Sequence, residues 1–130
     1  MRGWTGRDGR ACRTSSPRRA DGFDYLDPSE FGEFFAADVE PGFAAFEANS
    51  QVLINNANFH APITTPAWKS RPSWMSVAGS DKTISPDLER WYGARSGSTQ
   101  IEIRGASHQV YVSHPKEVAA FIEKAASSVH

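Results

Sequence analysis

The sequence has 130 residues, of which 39% are apolar, 22% charged and 12% aromatic. This length and composition are typical of one globular domain, and they exclude a disordered, collagen-like or coiled-coil chain. The single cysteine, Cys12, excludes an intramolecular disulfide and favours a reducing compartment such as the cytoplasm. No apolar run approaches the roughly 20 residues that a membrane-spanning helix needs, so no membrane contact is expected.

A formal net charge of −1 hides a strong segregation of charge along the chain. Residues 1–20 contain one acid, Asp8, no lysine, and the arginines Arg2, Arg7, Arg10, Arg13, Arg18 and Arg19. Residues 21–68 reverse the sign, with no lysine or arginine and the acids Asp21, Asp24, Asp27, Glu30, Glu33, Asp38, Glu40 and Glu47. The signs mix from Lys69 onward, so the chain divides into a basic tail, an acidic segment and a mixed C-terminal half.

The basic tail, residues 1–20, has Trp4 as its only large apolar residue, so we expect it to be disordered. It fits a nucleic-acid-binding arm, a transit peptide, or an inert segment produced by a misplaced start or a shifted reading frame. We favour the inert segment, because arginine without lysine among glycine and serine is typical of GC-rich DNA translated out of frame. A nucleic-acid partner is therefore not expected.

Two helices that begin at proline are expected in the acidic segment 21–65. Pro28 and Pro41 pre-set the backbone angle of a first helical residue, and Asp27 and Glu40 precede them. The apolar faces would be formed by Phe31, Phe34 and Phe35, and by Phe43, Ala44 and Phe46, spacings typical of a core or a pocket wall. Residues 55–72 are rich in asparagine and proline and predict a connecting loop.

The next residues predict a strand followed by a helix. Ser73–Ala78 is a short apolar run between Pro72 and Gly79, as in a buried strand. Ser85 then caps a helix that begins at Pro86 and ends near Gly97, with the apolar face Leu88, Trp91 and Tyr92.

A second strand and helix complete the chain. Thr99–Ile103 is a β-branched strand, residues 105–112 form a loop, and His114-Pro115 opens the last helix. The buried stripe of that helix would be Val118, Phe121, Ile122 and Ala125. The order strand, helix, strand, helix predicts an α/β fold with a parallel pair of strands.

Function in such sheets lies in the loops that follow the carboxyl ends of the strands. Asp81 follows the first strand and His108 follows the second, so adjacent parallel strands would bring them to the same rim. A carboxylate that accepts a hydrogen bond from imidazole Nδ1 fixes the tautomer and leaves Nε2 as a general base. On spacing alone the alternative is favoured, since an Asp after a strand is often a loop or cap residue and a lone histidine is often structural.

The other histidines and acids are expected to have structural or surface roles. His60 is expected on a loop surface or a pocket wall, His114 at a helix cap and His130 at the chain end, without metal-ligand spacing among them or to Cys12. No metal and no cofactor are therefore expected. Asp87 and Glu89 would serve the N-terminus of their helix, and Glu102 would be solvated.

Three segments in order resemble the C-terminal part of the α/β-hydrolases: Pro66–Trp74, Ala78–Ile84 and Ser107–Pro115. In that family the last two strands carry the acid and then the histidine of the catalytic triad. Asp81 matches the acid and His108 the histidine. The resemblance covers about residues 66–126, and 21–65 are similar to part of the helical cap, whereas 1–20 resemble nothing in the family.

The sequence departs from the family at the nucleophile. No serine stands in a Gly-x-Ser-x-Gly motif: Ser107 has Gly105 two residues before it but Gln109 two residues after. The early His-Gly loop and the first five or six strands of the family are also missing. The resemblance thus implies a truncated α/β-hydrolase core (66–130) with a helical cap segment (21–65) and an unrelated tail (1–20).

The resemblance implies hydrolysis of a small ester or similar acyl substrate, with only the base and the orienting acid supplied by this chain. The chain alone would then be inactive. The strand edge at Trp74, Met75 and Val77 would be unpaired and would promote self-association. Alternatives from other classes are a non-catalytic binding module with a basic tail, and a partner chain that completes another polypeptide's hydrolase fold.

Overall fold

A computed structural model describes residues 21–129, so the predictions for residues 1–20 and for His130 lie outside the described part. The elements in chain order are β1 (Phe23–Asp24), α1 (Pro28–Phe34), α2 (Pro41–Asn49), β2 (Ile54–Asn55), β3 (Trp74–Ala78), α3 (Pro86–Ser96), β4 (Thr99–Ile103), α4 (Val110–Ser113) and α5 (Pro115–Ser127). Short 3₁₀ turns at Asn56–Phe59 and Ala67–Lys69 interrupt the connection between β2 and β3. None of the helices within residues 21–129 has the length and apolar character needed to cross a bilayer.

The first two helices begin where the prolines predict, and each is capped by an acid. Asp27 accepts hydrogen bonds from the Ser29 side chain at 2.6 Å and from its backbone N–H at 2.9 Å. Glu40 accepts from the N–H groups of Gly42 and Phe43 at 2.9 and 2.8 Å. These bonds lower the pKa of both carboxyls below the ordinary values and satisfy donors that a helix N-terminus otherwise leaves unpaired.

Helices α1 and α2 pack together around a small core. The buried members are Phe31, Ala36, Ala44 and Ala48, with Leu26, Phe35 and Val39 packed against them. The predicted face of α2 is wrong in part, because Phe43 and Phe46 are 46% and 65% exposed while the small Ala44 and Ala48 allow the helices to approach. A two-residue antiparallel pair, β1 with β2, closes this segment, and it was not predicted because so short a pair has no periodic signal.

The predicted parallel pair is confirmed. Strands β3 and β4 run side by side in a register that pairs Trp74 with Thr99 and Ala78 with Ile103. The second core lies on this pair and contains Ala78, Ile103, Ala106 and Val110, with Ile101 and Val118 packed against it. The architecture is therefore α/β, with a helical segment N-terminal to a small parallel sheet.

Helix α3 differs from the prediction in the face that it turns to the sheet. Trp91 and Tyr92 are 43% and 47% exposed, whereas Gly93 is buried against β4. A Cβ atom at Gly93 would meet the end of the Gln100 side chain, which occupies the space left by the glycine. The exposed Trp91 ring instead has the Arg95 guanidinium 5.5 Å from its centre, a cation–π contact.

The remaining helices differ from the sequence-based predictions only in details of their ends and buried faces. Helix α3 ends at Gly97, whose left-handed φ of 66° explains the glycine, but the Ser85 side chain makes no capping hydrogen bond. The predicted loop 105–112 contains the start of α4. In α5, Phe121 is buried, but Ile122 is 61% exposed because it faces away from the second core.

Strand β3 pairs only with β4 among the described residues, so its other edge is open. The N–H of Gly79 points toward β4, because it donates to the Ile103 carbonyl at 3.0 Å. Successive N–H groups of a strand point to opposite sides. The N–H groups of Trp74, Ser76 and Ala78 therefore face away from β4. On this side the Ala78 N–H donates to the Glu89 carboxylate of α3 at 2.9 Å.

We predict that the isolated chain self-associates through this edge. An open edge that carries half-buried Trp74 and Met75 is a template for another strand. Size-exclusion chromatography with light scattering should show concentration-dependent oligomers, and thermal unfolding should be broad or accompanied by aggregation. A monodisperse monomer with a cooperative transition would contradict the prediction and would mean that the edge is covered in solution.

Candidate active site

The loops after β3 and β4 are joined by backbone hydrogen bonds. The N–H of Ser80 donates to the Ala106 carbonyl at 2.9 Å, next to the bond from Gly79 to Ile103. Gly105 turns the second loop with a φ of 80°, a conformation that side chains rarely adopt. These contacts place the residues that follow the two strands at one rim of the sheet.

Asp81 and His108 meet at this rim. His108 Nδ1 lies 2.7 Å from Asp81 Oδ2. The Asp81 side chain is fully buried, and its other oxygen accepts hydrogen bonds from the N–H groups of Thr83 and Ile84 at 2.6 and 2.9 Å. An ionised carboxylate can accept but not donate, so Nδ1 donates in this contact, and in the neutral form of the imidazole Nε2 then keeps its lone pair.

The end of α1 fixes both loops from the other side. The Phe34 carbonyl accepts a hydrogen bond from the Thr83 hydroxyl at 2.8 Å, and the Phe35 carbonyl accepts one from the Gln109 N–H at 3.1 Å. The Phe35 ring centre lies 4.5 Å from that of His108. The acidic helical segment thus packs directly on the pair and limits the orientations of the imidazole.

A cleft of about 890 Å³ opens between the helical segment and the rim. Its wall includes His60, His108 and Gln109 and the aromatic rings of Phe31, Phe35 and Phe59. His108 is 27% exposed, so the imidazole is accessible from this cleft. His60 is exposed and belongs to the wall, which is one of the two positions expected for it.

A second polar cluster lies behind the pair and was missed by the sequence analysis. Ser107 is 1% exposed and donates a hydrogen bond to Asp38, whose other oxygen lies 3.4 Å from His114 Nδ1. Partial burial acts to raise the pKa of Asp38, but hydrogen bonds from Ser107 and Ser113 outweigh it, so the pKa is lowered. His114 occupies the predicted cap position of α5 without making a side-chain capping bond.

Three acids of the mixed half have contacts other than those expected. Glu102 is not simply solvated, because Arg90 binds it through two nitrogens, each 2.9 Å from a carboxylate oxygen. Asp87 also pairs with Arg90, at 2.6 Å. Glu89 lies in the first turn of α3 as expected, but its carboxylate also accepts the Ala78 N–H, and burial together with the charge of nearby Asp81 raises its pKa.

The described residues contain no group of three His, Cys, Asp or Glu side chains that could hold a metal ion. His108 and His114 instead have separate hydrogen-bond partners. His108 contacts Asp81, and His114 contacts Ser113 and Asp38.

We predict that Glu89→Gln stabilises the protein at neutral pH. A carboxyl whose pKa is raised on folding contributes its full stabilisation below its ordinary pKa of 4.5. This stabilisation is lost as the pH rises through the folded pKa. Glutamine keeps an acceptor for the Ala78 N–H without the buried charge. The melting temperature of the variant should exceed that of the wild type at neutral pH and equal it well below pH 4.5.

Glu33→Gln is the matched control for this change. Glu33 is 65% exposed and lies 3.5 Å from Lys82, which is also half exposed. Exposed pairs of this kind contribute little, so the melting temperature should change little at either pH. A Glu89→Gln variant that melts below the wild type at neutral pH would contradict the burial argument.

One comparison with known proteins identifies a family for the chain. A family model described as "Alpha/beta hydrolase family" matches residues 2–121. The match covers most of the chain and extends into the arginine-rich tail, which the resemblance drawn from the sequence did not include. No curated protein matches the chain. The family-model match over residues 2–121 shows that the chain belongs to the α/β-hydrolase family.

Proposed function

We propose that this chain supplies the base and the orienting acid of an α/β-hydrolase active site that acts on a small ester or similar acyl substrate. The observation that carries the proposal is the 2.7 Å contact between Asp81 and His108 Nδ1, made by a fully buried carboxylate whose other oxygen is held by two backbone donors. The assignment of Asp81 and His108 as catalytic rests on this contact and on their match to the family pattern.

The proposed step is acyl transfer with His108 as general base. A hydroxyl nucleophile forms a bond to the acyl carbon while its proton passes to His108 Nε2, and the carbonyl electrons move to the oxygen. The ionised Asp81 stabilises the imidazolium. As the tetrahedral intermediate collapses, Nε2 returns the proton to the departing alkoxide, and the acyl group stays on the nucleophile until water repeats the sequence.

The nucleophile is not assigned to any residue of this chain. The sequence has no Gly-x-Ser-x-Gly motif. Ser107 is next to His108, but it is buried and its hydroxyl donates to Asp38. Among residues 21–129 no hydroxyl is hydrogen-bonded to His108 Nε2, whereas Nδ1 is occupied by Asp81. We therefore propose that residues outside this sequence provide the nucleophile and the oxyanion hole.

We predict that 2-bromoacetophenone alkylates His108 at Nε2 faster than it alkylates His60 or His114. The Nε2 lone pair displaces bromide from the methylene carbon, a reaction that needs no second catalytic group. Asp81→Asn should slow this reaction about tenfold or more, because an amide N–H facing Nδ1 favours the tautomer whose Nε2 is protonated. Mass spectrometry of peptides over time measures the rate at each histidine.

His60 provides the internal control for this experiment, since it lines the same cleft and has no carboxylate partner among the described residues. Its rate should be the same in the wild type and in Asp81→Asn, and an unchanged far-ultraviolet circular dichroism spectrum checks that the variant is folded. Equal reactivity of His108 in the two proteins, with folding intact, would overturn the proposed role of Asp81.

We also predict that the chain alone does not hydrolyse an unactivated ester such as methyl butyrate in a pH-stat assay. A positioned general base contributes roughly 10²–10⁴-fold, which leaves the reaction undetectable without a nucleophile and oxyanion hole. His108→Ala should therefore leave the background rate unchanged. Turnover that His108→Ala abolishes would show that one of these 130 residues acts as the nucleophile.

A further inference from the structure

The connection between helices α1 and α2 binds the chain on both sides of His108. Its Phe35 carbonyl accepts a hydrogen bond from the Gln109 N–H at 3.1 Å. Its Asp38 carboxylate accepts a hydrogen bond from the Ser107 hydroxyl. Since residues 107 and 109 are the two neighbours of His108 in the sequence, these contacts fix the backbone that carries the imidazole.

Asp38 also contacts the far end of the same loop. Its second oxygen lies 3.4 Å from His114 Nδ1, and the Ser113 hydroxyl donates a hydrogen bond to the carboxylate. The short helix α4 lies between Ser107 and His114. A single carboxylate of the helical segment therefore holds both the start and the end of the turn and helix that follow the imidazole.

The Ser107 hydroxyl depends on Asp38 for its pairing. Ser107 is 1% exposed, so bulk water cannot replace the carboxylate as its partner. Buried hydroxyl groups are nearly always hydrogen-bonded in folded proteins. Without Asp38, the residue next to His108 would carry an unpaired buried hydroxyl, and the loop would have to move to pair it again.

The contact with Asp81 orients the imidazole, but it does not hold the backbone behind it. His108 Nδ1 can stay 2.7 Å from Asp81 Oδ2 only while the loop after β4 keeps its place. Asp81 comes from the loop after β3, whereas Asp38 comes from the helical segment. The two acids therefore hold His108 from different parts of the fold, one at the ring and one at the backbone.

We infer that Asp38 is a positioning residue, which keeps His108 Nδ1 against Asp81 by holding the loop through Ser107. This inference rests on the proposed function, in which Nε2 of His108 is the base. It makes the proton state of the base depend on the docking of the helical segment as well as on the sheet.

The test identifies which nitrogen of His108 reacts with 2-bromoacetophenone in the full chain. While Nδ1 donates to Asp81, only Nε2 of the neutral ring has a lone pair, so the wild type should be alkylated at Nε2. A ring that leaves Asp81 can adopt the other tautomer and displace bromide through Nδ1. Liquid chromatography of the His108 peptide, against synthetic peptides alkylated at either nitrogen, gives the ratio of the two products.

Asp38→Ala should lower the ratio of Nε2 to Nδ1 product about tenfold, as expected for the loss of one charge-assisted hydrogen bond. Asp38→Asn keeps an oxygen that can accept from the Ser107 hydroxyl, so its ratio should stay within about threefold of the wild type. An unchanged ratio in Asp38→Ala would overturn the inference. An asparagine variant with a ratio as low as that of the alanine variant would overturn it too.

Asp27→Ala is the matched control for a loss of stability. Asp27 is also a hydrogen-bonded acid of the helical segment, but its side chain caps α1 through Ser29. Its removal should lower the melting temperature, as expected for a lost helix cap, and leave the ratio of products unchanged. A ratio that falls equally in Asp27→Ala would mean that any destabilisation frees the imidazole, and it would overturn the role of Asp38.

A double-mutant cycle tests whether Asp38 acts through Ser107. Ser107→Ala removes the hydroxyl and should also lower the ratio of Nε2 to Nδ1 product. The double variant should have a ratio no lower than that of Asp38→Ala alone, because both substitutions break the same bond. Effects that multiply would show that the two residues act independently and would overturn the inference.

The two proposals fail separately. If Asp81→Asn does not slow the alkylation of His108, the proposed function fails, whatever the Asp38 variants show. If Asp81→Asn slows the reaction as predicted but Asp38→Ala leaves the ratio of products unchanged, only the positioning role of Asp38 fails.

Discussion

The buried carboxylate of Asp81 is the constraint on which the site depends. Without partners, a charge in this position would cost several kcal/mol, so the fold must bring donors to both of its oxygens. Thr83 and Ile84 provide two backbone donors from the same loop, and His108 provides the third from the loop after β4. The position of the imidazole is therefore linked to the stability of the sheet rim.

The acidic helical segment is held to that rim by the last turn of α1. The carbonyls of Phe34 and Phe35 accept hydrogen bonds from Thr83 and Gln109, one in each loop that carries the pair. The sequence of this segment resembles a hydrolase cap, and the segment contacts the two loops that carry Asp81 and His108. A change in α1 would act on Asp81 and His108 through these carbonyls and through the Phe35 ring.

The features that the sequence predicted are those with a local or topological cause. Prolines and capping acids fixed the starts of α1 and α2, and the rule that parallel strands share one rim placed Asp81 beside His108. The features that it missed depend on which face of an element is turned inward. Gly93 rather than Trp91 lies against β4, and Glu89, in the first turn of α3, reaches the open edge of β3. Hydrophobic spacing alone does not contain this information.

The acids of the chain differ in how their oxygens are satisfied, and the difference follows location. Asp27 and Glu40 cap helices, Asp38 binds Ser107, and Asp81 has three donors. Asp24 Oδ1 and Glu47 Oε2 differ, because they are buried without a hydrogen-bond partner. Gln109 Oε1 is the third such oxygen among residues 21–129, and all three residues line the cleft beside His108. A buried acceptor without a partner costs about 1–3 kcal/mol, so the wall of the cleft is less well stabilised than the rim around Asp81.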